Sequence, residues 1–337
     1  MRKIIVGICL AFFGIIVLNA CGEKKAKKIK VGLSMDTYTE ERWKKDADLF
    51  IAEVEKLGGE VILQTANGNE QLQNEQIENL LTSGVDVLVV VPHNSKTTAT
   101  AVRSAHNSDV KVIAYDRIIK DCDLDLYVSF DAVRIGEMQA EYLRDKVPTG
   151  NYLLIGGAAT DENSGMLKKG QMKVLQPMID NGSIKIIIDQ PAKDWLPIEA
   201  LKYTENGLTI TKNKIDAILT ANDGLASGAI QALAAEQLAG KVIVTGQDAE
   251  LAGIQRIIDG TQSMTIYKPL KKLAEVAAQA AMALAKKEEP KGINQKVNNG
   301  KVEVPAILLD PVSVDKSNVR ETVIADNYID KSLLKGL

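Results

Sequence analysis

The chain has 337 residues, 45% of them hydrophobic and only 4% aromatic, with a formal net charge of −3. An aliphatic core of that extent suits about two α/β domains, and the slightly acidic balance leaves no electrostatic footprint for nucleic acid. Cys9 falls in the leader described next and Cys21 is its expected lipid site, so Cys122 is left without a partner and an internal disulfide is excluded.

Arg2 and Lys3 precede an apolar run from Ile4 to Val17, which ends in Leu18-Asn19-Ala20-Cys21. A basic start, a hydrophobic stretch and small residues before a cysteine make a lipoprotein signal. Residues 1–20 are expected to be removed and Cys21 acylated as the new first residue. The run is short for a bilayer span and is followed closely by Lys24, Lys25, Lys27 and Lys28, so residues 21–28 read as a polar tether. The alternative is a plain N-terminal anchor helix. Either way the rest of the chain is expected on the extracytoplasmic side of a membrane. If acylated, it is held by lipid chains at roughly 0.8 kcal/mol per buried methylene.

From residue 29 the chain alternates two kinds of segment. Apolar, β-branched runs predict strands at 29–33, 61–64, 85–91, 110–115, 126–129, 152–155, 184–188, 217–220, 242–245 and 264–267. Between them, apolar residues recur at helical spacing, for example over 40–57, 71–82, 97–106, 135–147 and 225–237. Continuous apolar strands separated by amphipathic helices imply parallel sheets covered on both faces. About five β-α units precede Asp131 and about five follow Gly150. The expected fold is therefore α/β, with two similar doubly wound parallel-sheet lobes joined by a hinge. The tail after Pro290 is richer in Asn, Gly and Lys, with a weak strand at 304–309. It is expected to cross between lobes, so that one lobe comprises 29–132 plus about 271–303 and the other 133–270 plus about 304–337.

Ligands of open parallel sheets bind beyond the carboxyl ends of the strands, and the residues there share a theme. Asp116-Arg117, Asn222-Asp223, Gln247-Asp248 and Lys268-Pro269 each follow a predicted strand, Arg42-Trp43 opens the first helix, and Trp195-Leu196-Pro197 opens another. Both tryptophans of the chain fall at such places. Planar Asp, Asn and Arg groups pair neighbouring hydroxyls, and an indole face packs against the C–H face of a sugar ring. The inventory suits a small neutral polyol. Taken singly, an Asp or Asn could merely cap the next helix, and Trp43 could be lobe packing.

The residues at this point resemble a known family, the periplasmic D-xylose-binding proteins within the type I periplasmic sugar-binding proteins. The resemblance runs from Lys30 to about Asn327. It is carried by Glu41-Arg42-Trp43, Thr65-Ala66-Asn67-Gly68-Asn69-Glu70, the run from Gly84 to Val89, Ala114-Tyr115-Asp116-Arg117, the run from Gly170 to Leu175, Trp195-Leu196-Pro197, Gly246-Gln247-Asp248-Ala249 and Tyr267-Lys268-Pro269. It implies that Arg42, Arg117, Asn163, Asn222, Asp248 and Lys268 hydrogen-bond a pentose, that Trp43 and Trp195 sandwich its ring, and that Asp116 supports or joins the polar set. Asn163 enters only through the resemblance; the residues alone mark it as a helix cap. Two positions depart from the family pattern: Thr37, where a second acidic residue is usual, and His93, where an aromatic one is.

The resemblance further implies a monomeric binding protein that hinges shut on D-xylose or a related monosaccharide and delivers it to an ABC sugar permease. The same domain reporting to a membrane kinase or chemoreceptor is the alternative. No cofactor and no metal are expected. Asp121-Cys122-Asp123-Leu124-Asp125 begins like a calcium loop, but Leu126 and Ala132 stand where Gly and Glu are needed. Neither His93 nor His106 has a zinc partner at ligand spacing, and no P-loop, dinucleotide fingerprint or nucleophile elbow occurs. A glycosidase using Asp116 and Asp248 is disfavoured. A cleft that closes fully on a monosaccharide has no exit for an aglycone, and nearby cations keep both groups ionised.

Overall fold

The computed structural model describes residues 28–337; the leader and Cys21 lie outside them. In chain order the strands are β1 (Lys30–Met35), β2 (Glu60–Thr65), β3 (Val87–Val90), β4 (Lys111–Tyr115), β5 (Leu126–Phe130), β6 (Gly150–Gly156), β7 (Ile184–Pro191), β8 (Ala217–Thr220), β9 (Ile243–Val244), β10 (Met264–Tyr267), β11 (Gln295–Asn298), β12 (Glu303–Leu309) and β13 (Val312–Asp315). Helices connect most of them. Among the described residues no helix is long and apolar enough to cross a membrane.

The first lobe is built on a sheet ordered β11-β12-β5-β4-β3-β1-β2, parallel except for β11. The second holds the parallel order β7-β6-β8-β9. The antiparallel pair β10-β13 extends this sheet, with the Ser263 amide donating to Val244 O beside β9. Both sheets are covered on both faces, and single strands show it. Val87 and Val89 join one hydrophobic cluster while Leu88 and Val90 join another, as the two-residue period of a strand requires. In β6, Leu153 and Ile155 face one side and Tyr152 and Leu154 the other. The continuous apolar runs in the sequence have this cause.

Three crossings join the lobes. The chain leaves β5 for helix Ala132–Lys146 of the second lobe, returns after β10 through helix Leu270–Ala285, which packs on helix Glu41–Lys56 of the first, and crosses again after β12. The last crossing corrects the expected boundary at about 304. Strand β12 pairs in parallel with β5, Ala306 opposite Tyr127, and Val304 and Ala306 are fully buried in the first lobe. Residues 304–309 therefore belong to the first sheet, because β5 would otherwise expose an unpaired, wholly buried edge. The chain passes to the second lobe at Asp310.

Candidate functional site

A cavity lies between the lobes, beyond the carboxyl ends of their strands, where the ligands of open α/β sheets bind. All nine residues singled out for ligand binding line it: Arg42, Trp43, Asp116 and Arg117 from the first lobe, and Asn163, Trp195, Asn222, Asp248 and Lys268 from the second. Each is placed by the start of a helix or the end of a strand. Arg42 and Trp43 sit in the first turn of helix Glu41–Lys56. Pro197 takes the first position of helix Pro197–Thr211, where its missing N–H costs nothing, and so aims the preceding turn with Trp195 at the cleft.

The polar groups form two charge clusters. In the first, Arg42 Nε donates to Asp46 Oδ2 at 2.8 Å, its Nη2 lies 2.8 Å from Asp116 Oδ2, and its Nη1 reaches Asp248 Oδ1 at 3.5 Å across the cleft. Lys268 Nζ lies 2.8 Å from the same Asp248 oxygen and 3.7 Å from Asp116. In the second, Arg117 Nη1 donates to Asp36 at 2.7 Å, while its Nε lies 2.8 Å from Asp161 of the other lobe. The guanidinium carbons of Arg42 and Arg117 stand 4.2 and 4.9 Å from the centre of the Trp43 ring.

The model of the periplasmic binding protein domain family matches residues 31–289. The chain belongs to the periplasmic binding protein family. Within it, the chain is 50% identical to a D-xylose-binding periplasmic protein of Escherichia coli over 92% of this chain and 93% of that one. It is also 32% identical to the multiple sugar-binding periplasmic receptor ChvE of Rhizobium radiobacter, over 92% and 93%. Among solved structures, a carbohydrate transporter solute binding protein from Chloroflexus aurantiacus in complex with D-glucose superposes with a TM-score of 0.85 at 35% identity, over 92% of this chain and 99% of that one. The protein is thus a periplasmic-type, extracytoplasmic sugar-binding protein closely related to the D-xylose-binding proteins, and a binder rather than an enzyme.

As in any binding protein of this architecture, closure depends on contacts that span the cleft. Here they ring the cavity: Lys120 with Glu162 at 2.9 Å, the Ser95 amide donating to Thr160 O, and the Leu251 amide donating to Glu41 Oε2. The electrostatics follow from burial set against these partners. Burial alone would push Asp116 up, but Arg42 and Lys268 outweigh it and hold the carboxyl below the ordinary range. For Asp161, burial wins over Arg117 and the carboxyl is raised.

Backbone strain concentrates here. Asp116, Asp194, Trp195 and Asp248 all have positive φ, a conformation that costs a non-glycine residue about 1–3 kcal/mol and persists where surroundings enforce it. Gly157 explains how Trp195 fits. A Cβ at Gly157 would stand 2.1 Å from Cη2 of the indole, so only a bare backbone lets the ring lie there. Gly157→Ala should displace the ring, and overpacking of about 1–3 kcal/mol implies roughly ten-fold weaker sugar binding. Titration followed by tryptophan fluorescence checks this, since the chain's two tryptophans both line the cavity.

The alternatives left open at the strand ends resolve unevenly. Asn222 does cap its helix, its Oδ1 accepting from the Leu225 amide at 2.8 Å, and it lines the cavity as well. Its neighbour Asp223 is not on the cavity but buried in the second lobe, where it accepts from Gln262, Thr265 and the Glu250 amide. The cap before Asn163 is Asp161, which frees Asn163 Nδ2 to donate to Asp116 O at 3.0 Å. Eight further residues line the cavity: the polar Glu40, Ser129, Asp161 and Gln247 and the apolar Phe130, Ala132, Ile135 and Leu167. Glu40 accepts from Trp43 Nε1 at 2.8 Å and fixes the plane of that indole; its spacing of three from Trp43 at a helix start was the available signal.

The set-aside motifs have ordinary partners. Asp123 pairs with Lys301 at 2.7 Å and His106 with Asp125 at 2.7 Å. Cys122 is free and buried, its thiol pushed up to about 11 by burial. Among the described residues no group of three or more metal-binding side chains comes together.

Proposed function

We propose that the cavity binds one aldopentose ring, D-xylose before others, and that the closed protein delivers it to an ABC sugar permease. The observation that carries this reading is the convergence of the nine residues from seven separate chain segments on one cavity between two lobes. In this reading Arg42, Arg117, Asn163, Asn222, Asp248 and Lys268 hydrogen-bond the hydroxyls, Trp43 and Trp195 cover the two faces of the ring, and Asp116 holds Arg42 and Lys268 in place. Trp43 spends its N–H on Glu40 and so offers the sugar only its face. The name of the E. coli relative, at half-identical sequence, supports xylose as the sugar. A ligand touching both lobes favours closure only through the contacts it gains there, and the polar groups on both walls provide them.

Isothermal titration against D-xylose, ribose, arabinose, glucose and galactose tests the reading. Tight one-to-one binding of xylose, at least ten-fold over the other pentoses, is expected. Preference for another sugar of the panel would sink the xylose assignment. We further propose that Cys21 carries the lipid that tethers the protein. Cys21→Ala should then move it from the membrane fraction to the soluble one.

A further inference from the structure

His93 and Asp36 at the cleft mouth lie outside the nine but join one of them, Arg117. His93 Nδ1 stands 2.8 Å from Asp36 Oδ1, and the other oxygen of Asp36 accepts from Arg117 Nη1 at 2.7 Å. Arg117 in turn reaches Asp161 of the second lobe at 2.8 Å. A chain of alternating charges therefore runs from the mouth to Arg117 and on across the cleft. It borders a second chamber, which shares Glu40, Arg117, Asp161 and Trp195 with the sugar cavity. The His93 amide donates to Gln73 Oε1 at 2.8 Å, and Gln73 is itself buried and bonded to Val91 O. The backbone that carries the imidazole is thus fixed to the first lobe.

We propose that Asp36 and His93 are positioning residues for Arg117, and that a proton on His93 favours lobe closure and so tightens sugar binding. The proposal rests on the sugar-binding reading above. His93 and Asp36 belong to the first lobe and stay together however the lobes are arranged. Asp194 and Asp161 belong to the second and approach only as the cleft shuts. A carboxylate that arrives on closure strengthens a histidine's hold on its proton, and by reciprocity the proton strengthens closure.

The charged groups facing His93 are Asp36 from the end of β1, Arg117 from the segment after β4, and Asp194 from the turn before Trp195 in the second lobe. Glu40 and Asp161 stand on the same chamber. The hydrogen bond to Asp36 raises the His93 pKa. Burial opposes it, the charges of Asp36 and Asp194 add to it, and Arg117 subtracts. Because Asp36 is present in both arrangements, only what Asp194 adds on closure is linked to it; that contribution is full while His93 is protonated in the open form and fades as pH rises through the closed form's higher value.

The test is D-xylose titration of the intact chain in detergent, from about pH 6 to about pH 9, for the wild type, His93→Gln and Asp36→Asn. Glutamine keeps a donor for Asp36 but cannot take up a charge. Wild type should lose about five-fold in affinity over the range, and His93→Gln should be flat at the weak end. Asp36→Asn should bind about ten-fold more weakly at every pH, since Arg117 loses a charge-assisted bond. A flat wild-type profile, or an unchanged slope in His93→Gln, overturns the proposal. A wild type that unfolds cooperatively on heating yet binds no sugar at any pH overturns the sugar-binding reading, and this proposal with it.

Discussion

Trp195→Ala should weaken sugar binding by about 2–4 kcal/mol and leave the empty protein folded. Trp195 is nine-tenths buried, yet it walls the sugar cavity on one side and the mouth chamber on the other. Its indole lies on the bare backbone of Gly157, and its Nε1 has no hydrogen-bond partner within the protein. Aromatic anchors of this kind at the centre of a binding site carry about 2–4 kcal/mol when truncated to alanine, which is roughly thirty-fold to a thousand-fold in affinity. The loss has two sources: a stacking face for the C–H side of the ring, and a wall that excludes water from the polar contacts. Trp195 shares a hydrophobic cluster with Leu153 and Ile155 of β6, but it stands where that cluster meets the cleft, so the apo protein should keep its fold with a modestly lower melting temperature. Calorimetric titration gives the affinity and thermal unfolding of the empty protein gives the control. A collapse of the apo melting temperature with little change in affinity among molecules still folded would make Trp195 a core residue instead.

Asp223→Ala has its largest effect on stability. Asp223 is fully buried and accepts three hydrogen bonds, from Gln262 at 2.6 Å and from Thr265 and the Glu250 amide at 2.9 Å. Its own amide donates to Gln247 O, and Gly246 and Gly253 stand so close that a Cβ on either would meet the carboxylate. Burial pushes the carboxyl up to about 7 against the pull of Arg256 and these donors. Removing it strands the buried donors of Gln262 and Thr265 and the partly buried Glu250 amide, for a loss of about 3 kcal/mol and a melting temperature lower by roughly 5–10 °C. Asp223→Asn keeps one acceptor oxygen and should fall between. The same side chain steadies the turn that presents Asp248, so sugar affinity should weaken in parallel. Thermal unfolding within about 1 °C of wild type would show that the three donors find other partners.

Much of the site was legible because the fold class was. Once residues 85–91 and their fellows read as buried parallel strands, the positions beyond their carboxyl ends became the ones to inspect, and Arg42, Asp116, Arg117, Asn222, Asp248 and Lys268 stand there. Chemistry at those positions is informative because nothing in the packing of the lobes demands a charge at a strand end. Asn163 was different. It lies within the first turn of its helix, where an Asn has local work available, and only the family pattern separated it from a cap. Strands β11 and β13 escaped notice because their burial is partial, and so no apolar run marks them.

By itself, then, the sequence determined the alternation of strands and helices, the doubling into two lobes and the chemical character of the cleft, since each follows from local periodicity and residue type. The tertiary structure decided what depends on direction and on distant partners. It put β12 beside β5 in the first sheet, because hydrogen-bond pairing between segments far apart in the chain leaves no local trace. It tied His93, Asp36, Arg117 and Asp161 into one chain of charges drawn from four segments. And it separated Asn222 from Asp223. The helix begins between these neighbours, so the first caps it from an extended conformation and faces the cleft, while the second, one step into the turn, is carried round into the lobe.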